Sequence, residues 1–136
     1  MKIDLKALST CRVHRDGETL ELNFNDAQGS AVSLVVPFES AQAIAMTLPR
    51  LLTEAVQRLT GNEQSRYVFP LGTWRVERAG TEDCAIATFA TEDGFEVSFG
   101  IPPNTCRSLG WALKSEGEGA SVTEDESARE EQLRLN

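Results

Sequence analysis

The sequence predicts an α+β fold made from an internally duplicated βββα unit, with antiparallel sheet covered by two principal helices. Three observations lead there. QGSAVSLVVPF (28–38) and DGFEVSFGIPP (93–103) carry the same order of glycine, alternating apolar residues and proline. Aligned without gaps at an offset of 65, Phe24–Leu48 and Phe89–Leu113 share six of 25 residues: the pairs Phe24/Phe89, Gly29/Gly94, Val32/Val97, Ser33/Ser98, Pro37/Pro102 and Leu48/Leu113. Upstream, TCRVHRDG (10–17) and TWRVERAG (73–80) share five of eight at an offset of 63, so a two-residue insertion is expected between the matches. Searching for such repeats before assigning elements avoids misreading the whole architecture.

Each copy resolves by periodicity. The first strand alternates Cys11 and Val13 with Arg12 and His14, or Trp74 and Val76 with Arg75 and Glu77. The second carries Leu20, Leu22 and Phe24, or Ala85, Ala87 and Phe89. A turn follows at DAQGS or TEDGF, where Asp93-Gly94 signals a two-residue hairpin because glycine accepts positive φ. The third strand then alternates Phe95, Val97, Phe99 and Ile101 with Glu96, Ser98 and Gly100. YVFPLG (67–72) reads as a lead-in strand of copy two, parallel in role to IDLKAL (3–8). The expected total is six to eight strands.

At Pro37 and Pro102 the period changes from two to about 3.6, as suits a residue that pre-sets φ for a helix start. The first helix is expected to bury Ala41, Ile44, Leu48, Leu52, Ala55 and Leu59, and Pro49 should kink it or split it near residue 47. The second is shorter, with Cys106, Leu109 and Leu113 on one side. TGNEQSR (60–66) reads as the linker between copies. The organisation is therefore one pseudo-symmetric domain over 1–114, with copy one at 1–60 and copy two at 66–114. Residues 115–136 read as a flexible acidic tail, with a short C-terminal helix that Ser121 or Thr123 could cap.

A single βββα unit has one apolar sheet face and one helix to cover it, which alone is a marginal core. Two copies supply enough, and the 136-residue chain is near the usual size of one domain. This is a structural reason for the repetition, with no activity attached.

Composition narrows the classes of function. Net charge is −8, and residues 115–136 contribute −5 of it, with seven acids against two arginines. The remaining −3 leaves no basic footprint for phosphate. No apolar run reaches the roughly 20 residues that span a bilayer. The N-terminus, charged at Lys2, Asp4 and Lys6, lacks the apolar centre of a secretory signal, so a cytoplasmic location is expected. Cys11, Cys84 and Cys106 are widely spaced, suggesting neither a disulfide framework nor a zinc site. His14 is the single histidine and stands on a strand's outer face, where Glu77 replaces it in copy two. No phosphate-binding loop, dinucleotide fingerprint or nucleophile elbow occurs. The acids at 81–83 and 92–94 read as solvated hairpin turns because a calcium loop's ligand ladder is missing. No catalytic residue, metal ligand or cofactor is assigned.

Two features rise above this background. Arg12 and Arg15, with Arg75 and Arg78, form a pair in each copy, a candidate site for an anion or acidic partner or else a charge-guarded strand edge. Met46 and Trp111 occupy equivalent positions in the two helices, about 200° round from Ile44 and Leu109 and so away from the core stripe. They are interface candidates for a homodimer or a protein partner, since a large amphipathic aromatic suits a contact surface.

The element order resembles that of PUR-type and whirly single-stranded nucleic-acid-binding repeats. The resemblance implies a basic sheet face with stacking aromatics. Here that face is expected to carry Glu21, Asn23, Ser33, Glu96 and Ser98, which weighs against nucleic acid. Size and acidity are also similar to those of small dimeric chaperones of bacterial secretion systems. The reading that best fits is a non-enzymatic protein-binding or structural module. The alternative is a holdase-type chaperone for another polypeptide, with single-stranded nucleic-acid binding or an enzyme below it.

Overall fold

The computed structural model describes residues 1–80 and 83–134, with side chains described as far as residue 119. The chain divides into two compact units, Met1–Val68 and Phe69–Asn136. Each unit is α+β: a three-stranded antiparallel sheet followed by a helix, the order expected of a duplicated βββα unit.

In the first unit, β1 (Leu5–Val13), β2 (Thr19–Asp26) and β3 (Ala31–Pro37) form a meander with β2 central. Pairing brings Leu8, Phe24 and Val32 into one row, then Cys11, Leu22 and Leu34, then Val13, Leu20 and Val36. Because side chains alternate across a strand, these rows share one apolar face. The opposite face is mainly polar: Thr10, Asn23 and Ser33 form one row, and Arg12, Glu21 and Val35 the next.

In the second unit, β4 (Thr73–Arg78), β5 (Ala85–Ala90) and β6 (Glu96–Ile101) repeat the meander. Trp74, Phe89 and Val97 form one apolar row, and Val76, Ala87 and Phe99 the next. Arg75, Thr88 and Ser98 lie across the polar face. YVFPLG is not a strand. Pro70 has no N–H for a ladder, and this stretch is held otherwise: Phe69 stacks on Phe95 at 4.4 Å, and Gly72 N donates to Ala90 O at 2.8 Å. The described strands number six, three in each unit.

A single offset of 65 relates the two registers. Phe24 opposite Val32 corresponds to Phe89 opposite Val97, and Asn23 opposite Ser33 to Thr88 opposite Ser98. The first hairpins match as well: His14 N donates to Thr19 O, and Ala79 N to Cys84 O. The insertion expected from the offset of 63 is therefore absent. Val76, not Trp74, stands where Cys11 stands, since each faces the central residue of its Leu22 or Ala87 row.

The second hairpin also differs from expectation. Thr91 N bonds Phe95 O and Gly94 N bonds Thr91 O, enclosing the three-residue loop 92–94 with Gly94 at φ 97°. The first unit builds the same loop: Asp26 N to Ser30 O, Gly29 N to Asp26 O, and Gly29 at φ 86°. This is a type I turn closed by a left-handed residue, the usual three-residue hairpin. Asp26 Oδ1 accepts from Ser30 N at 2.7 Å, and Thr91 Oγ1 from Phe95 N at 3.1 Å, so one short polar side chain anchors each loop.

Helix α1 (Phe38–Thr60) follows β3 with no intervening residue, and Pro37 is its N-cap at φ −60°, ψ 151°. It runs unbroken through Pro49 rather than splitting. Gly61, left-handed at φ 66°, ends it. The following segment returns along the helix: Gln57 Nε2 donates to Glu63 O and Ser65 O, and Thr53 Oγ1 accepts from Tyr67 N. Helix α2 (Pro103–Arg134) starts one residue after β6, with proline at its first position. It extends well past residue 113, where the apolar stripe read from sequence ends. The capping roles expected of Ser121 and Thr123 fall on side chains outside the described ones, and of the acidic turn expected at 81–83 only Asp83 is described.

The core is where expectation and structure part. Among the described residues only Val36, Ala87 and Thr88 are buried. No residue of α1 is buried, and Ile44, Leu48, Leu52 and Leu59 of the expected buried stripe are exposed. Helix α1 touches β2 and β3 sparsely, and among the described residues α2 makes no contact of even that extent with any strand. Connections between a strand and a helix that packs on its sheet commonly have two to six residues. Here the connections have none and one.

Candidate functional site

The two polar sheet faces satisfy themselves. In the first unit, Ser33 Oγ donates to Asn23 Oδ1 at 2.5 Å, while Asn23 Nδ2 donates to Thr10 Oγ1 and Glu21 Oε1. Arg12 Nη2 donates to Glu21 Oε2 at 2.6 Å, and His14 Nε2 lies 3.6 Å from the same oxygen. The Arg12 hydrogen bond, with a second from Asn23, holds the Glu21 carboxyl below its ordinary pKa; desolvation opposes this and is outweighed. In the second unit, Thr88 Oγ1 and Ser98 Oγ are 2.8 Å apart, and Arg75 pairs with Glu96 at 3.6 Å and Glu77 at 3.9 Å.

The four arginines are placed differently from one another. Arg12 and Arg75 lie on polar faces beside carboxylates. Arg15 is in the β1–β2 turn, and Arg78 pairs with Ala85 at the end of β4. At the common offset Arg75 corresponds to Thr10 and Arg12 to Glu77, so the four do not occupy matching register positions.

An open hollow of about 630 Å³ lies in the second unit, lined by Glu77, Arg78, Asp83, Cys84, Pro103 and Cys106 among others. Cys106 Sγ is turned to Ile101 O at 3.5 Å. Cys11 is exposed, and Cys84 and Cys106 are half-buried. Among the described residues, no three His, Cys, Asp or Glu side chains gather to hold a metal ion, and no helix is long and apolar enough to cross a membrane.

The distinctive surface is apolar. Met46 is 78% exposed and Trp111 74%, in α1 and α2 respectively. On the sheet of the second unit Trp74 is 67% exposed, on the same face as exposed Val76 and Phe99. On that of the first, Leu8, Val13 and Leu34 are exposed. Met46 and Trp111 were legible in the sequence as side chains pointing off the helical stripe. Trp74, Val76 and Phe99 were not, because alternation marks a face as apolar without saying what covers it. The available signal was the abrupt change of period at Pro37 and Pro102, which left no residues for a connecting loop.

Comparisons with known protein families, with curated proteins and with solved structures find no match for this chain.

Proposed function

We propose that this protein is a non-enzymatic protein-binding module whose binding surface includes Met46 and Trp111. The observation that carries this reading is the exposure of many large apolar side chains on both sheets and both helices. Exposed apolar patches beyond a few hundred Å² are rare on solitary soluble domains and mark contact surfaces. Tryptophan and methionine suit such a surface, the first through its large amphipathic ring and the second through its pliable, polarizable chain. The polar sheet faces, whose arginines stand beside carboxylates, offer a weaker case for an acidic partner.

Site-specific photocrosslinking tests the reading. A photoreactive amino acid is placed at Met46 or Trp111, with Ser33 on the polar sheet face as control. A discrete polypeptide adduct from 46 and 111, weak or missing from 33, is the expected result. Equal adducts from all three positions, or none from any, would sink it.

A second reading, a holdase-type chaperone, is favoured by the exposure of Trp74, Val76 and Phe99 on one sheet face. A holdase would suppress the heat aggregation of a client protein at stoichiometric ratio, and Trp74→Ser would abolish the effect.

A further inference from the structure

We infer that the partner is a second copy of this chain, and that the two copies exchange helices: α1 of one lies across the apolar face of β1–β2–β3 in the other, α2 likewise across that of β4–β5–β6, and reciprocally. This rests on the protein-binding reading above and names one partner, held through faces other than that of Met46 and Trp111.

The connection comes first. Pro37 is both the last residue of β3 and the N-cap of α1, so the strand passes into the helix without a loop. Pro37 also has a fixed φ, and Phe38 N is tied to Glu18 O at 2.8 Å, which pins the direction in which α1 departs. A 23-residue helix is about 34 Å long, and one launched this way covers little of its own sheet. Connections too short to turn an element back are what favours its exchange between identical chains.

Complementarity comes second. A sheet with one apolar face is stabilised by a layer of helix, and an amphipathic helix by a sheet. This unit exposes one of each: Leu8, Val13 and Leu34 on the sheet, with Ile44, Leu48 and Leu52 on the helix. A two-fold axis satisfies both sets at once, because an isologous interface presents the same surface from both partners. An unrelated partner that supplied only a helix or only a sheet would leave half of the apolar surface in water.

Area comes third. The second unit has the same arrangement, with exposed Trp74, Val76 and Phe99 on its sheet and Leu109 and Leu113 on α2. With roughly 150–250 Å² on each large side chain, the exposed fractions in the two units total on the order of 1,000 Å² per copy. A standard stable interface takes about 800 Å² from each partner. Like charge on the two copies does not oppose the contact directly, since neither set contains an ionisable side chain.

Met46 and Trp111, off the helical stripes, stay outside this exchange and remain available to the wider binding function.

The test is the solution mass of the full-length chain by light scattering over a hundredfold concentration range, with two insertion variants. One variant carries Gly-Ser-Gly-Ser between Pro37 and Phe38, the other the same insert between Pro102 and Pro103. The expected mass for the wild type is twice the 14.9 kDa of the chain. Lengthening a connection lets its helix fold back on its own sheet, so the chain with both inserts becomes a folded monomer with unchanged far-UV circular dichroism. Both inserts in one chain guard against α2 alone holding the pair together. A wild type that is monomeric throughout overturns the inference. A dimer that persists with both inserts overturns helix exchange. The wider reading falls separately, if the crosslinks at 46 and 111 fail.

Discussion

Arg12 and Glu21 face each other across β1 and β2, with Arg12 Nη2 donating to Glu21 Oε2 at 2.6 Å. Glu21 also accepts from Asn23 Nδ2, and both bonds favour its charged form. A carboxyl with a depressed folded-state pKa adds stability that is fully present above its unfolded value, about 4.3, and is lost as pH falls through the folded one. Chemical denaturation of the wild type should therefore show midpoints falling below about pH 4.3. In Glu21→Gln this component should vanish, with wild type and variant converging in stability at the acid end. A constant gap between the two at every pH would show that the pair contributes nothing through ionisation.

Gly29 and Gly94 hold the equivalent left-handed position in the two hairpins. A Cβ at either would meet no atom within 4 Å, so the cost of alanine is conformational alone. Gly29→Ala and Gly94→Ala should each destabilise by about 1–2 kcal/mol, and asparagine should cost less at both. Thermal melts decide. A neutral alanine at either site would mean that its loop takes another form.

Pro49 interrupts the hydrogen-bond ladder of α1, leaving Ala45 O without its usual helical donor. Thr47 Oγ1 does not substitute, because it donates to Ala43 O at 2.7 Å. Pro49→Ala restores the donor, and should raise helicity at 222 nm and stability by about 1–3 kcal/mol. A loss of stability would show that the proline shapes the helix for a contact it makes.

Trp74 and Trp111 report different surfaces, one on a sheet and one on a helix. With helix exchange, Trp74 leaves water on association while Trp111 does not. In Trp111→Phe, the remaining Trp74 emission should shift to the blue at high protein concentration and to the red on dilution. In Trp74→Phe, emission from Trp111 should not depend on concentration. The reverse pattern would locate the self-contact on the outer helix face instead.

Strand order, the apolar face of each strand and the change to helix at Pro37 and Pro102 were all legible in the sequence. Alternation, turn glycines and proline act within a few residues, and the chain order exposes them directly. The two-residue error in aligning β4 with β1 has an equally local cause. A slip by two keeps every side chain on its original face, so the hydrophobic pattern is the same in either register. Only the cross-strand pairs, Cys11 with Leu22 and Val76 with Ala87, distinguish them. The candidate surface was legible in part, through Met46 and Trp111; Trp74 was hidden among residues that read as core.

By itself, then, the sequence determined the elements of this protein and which face of each is apolar, because both follow from short-range periodicity. Tertiary structure alone decided whether those faces meet. A helical stripe such as Ile44, Leu48 and Leu52 is written identically whether its cover is its own sheet or another's. What differs is the path of the backbone at Pro37 and Phe38, where the strand becomes helix with no loop to turn it back.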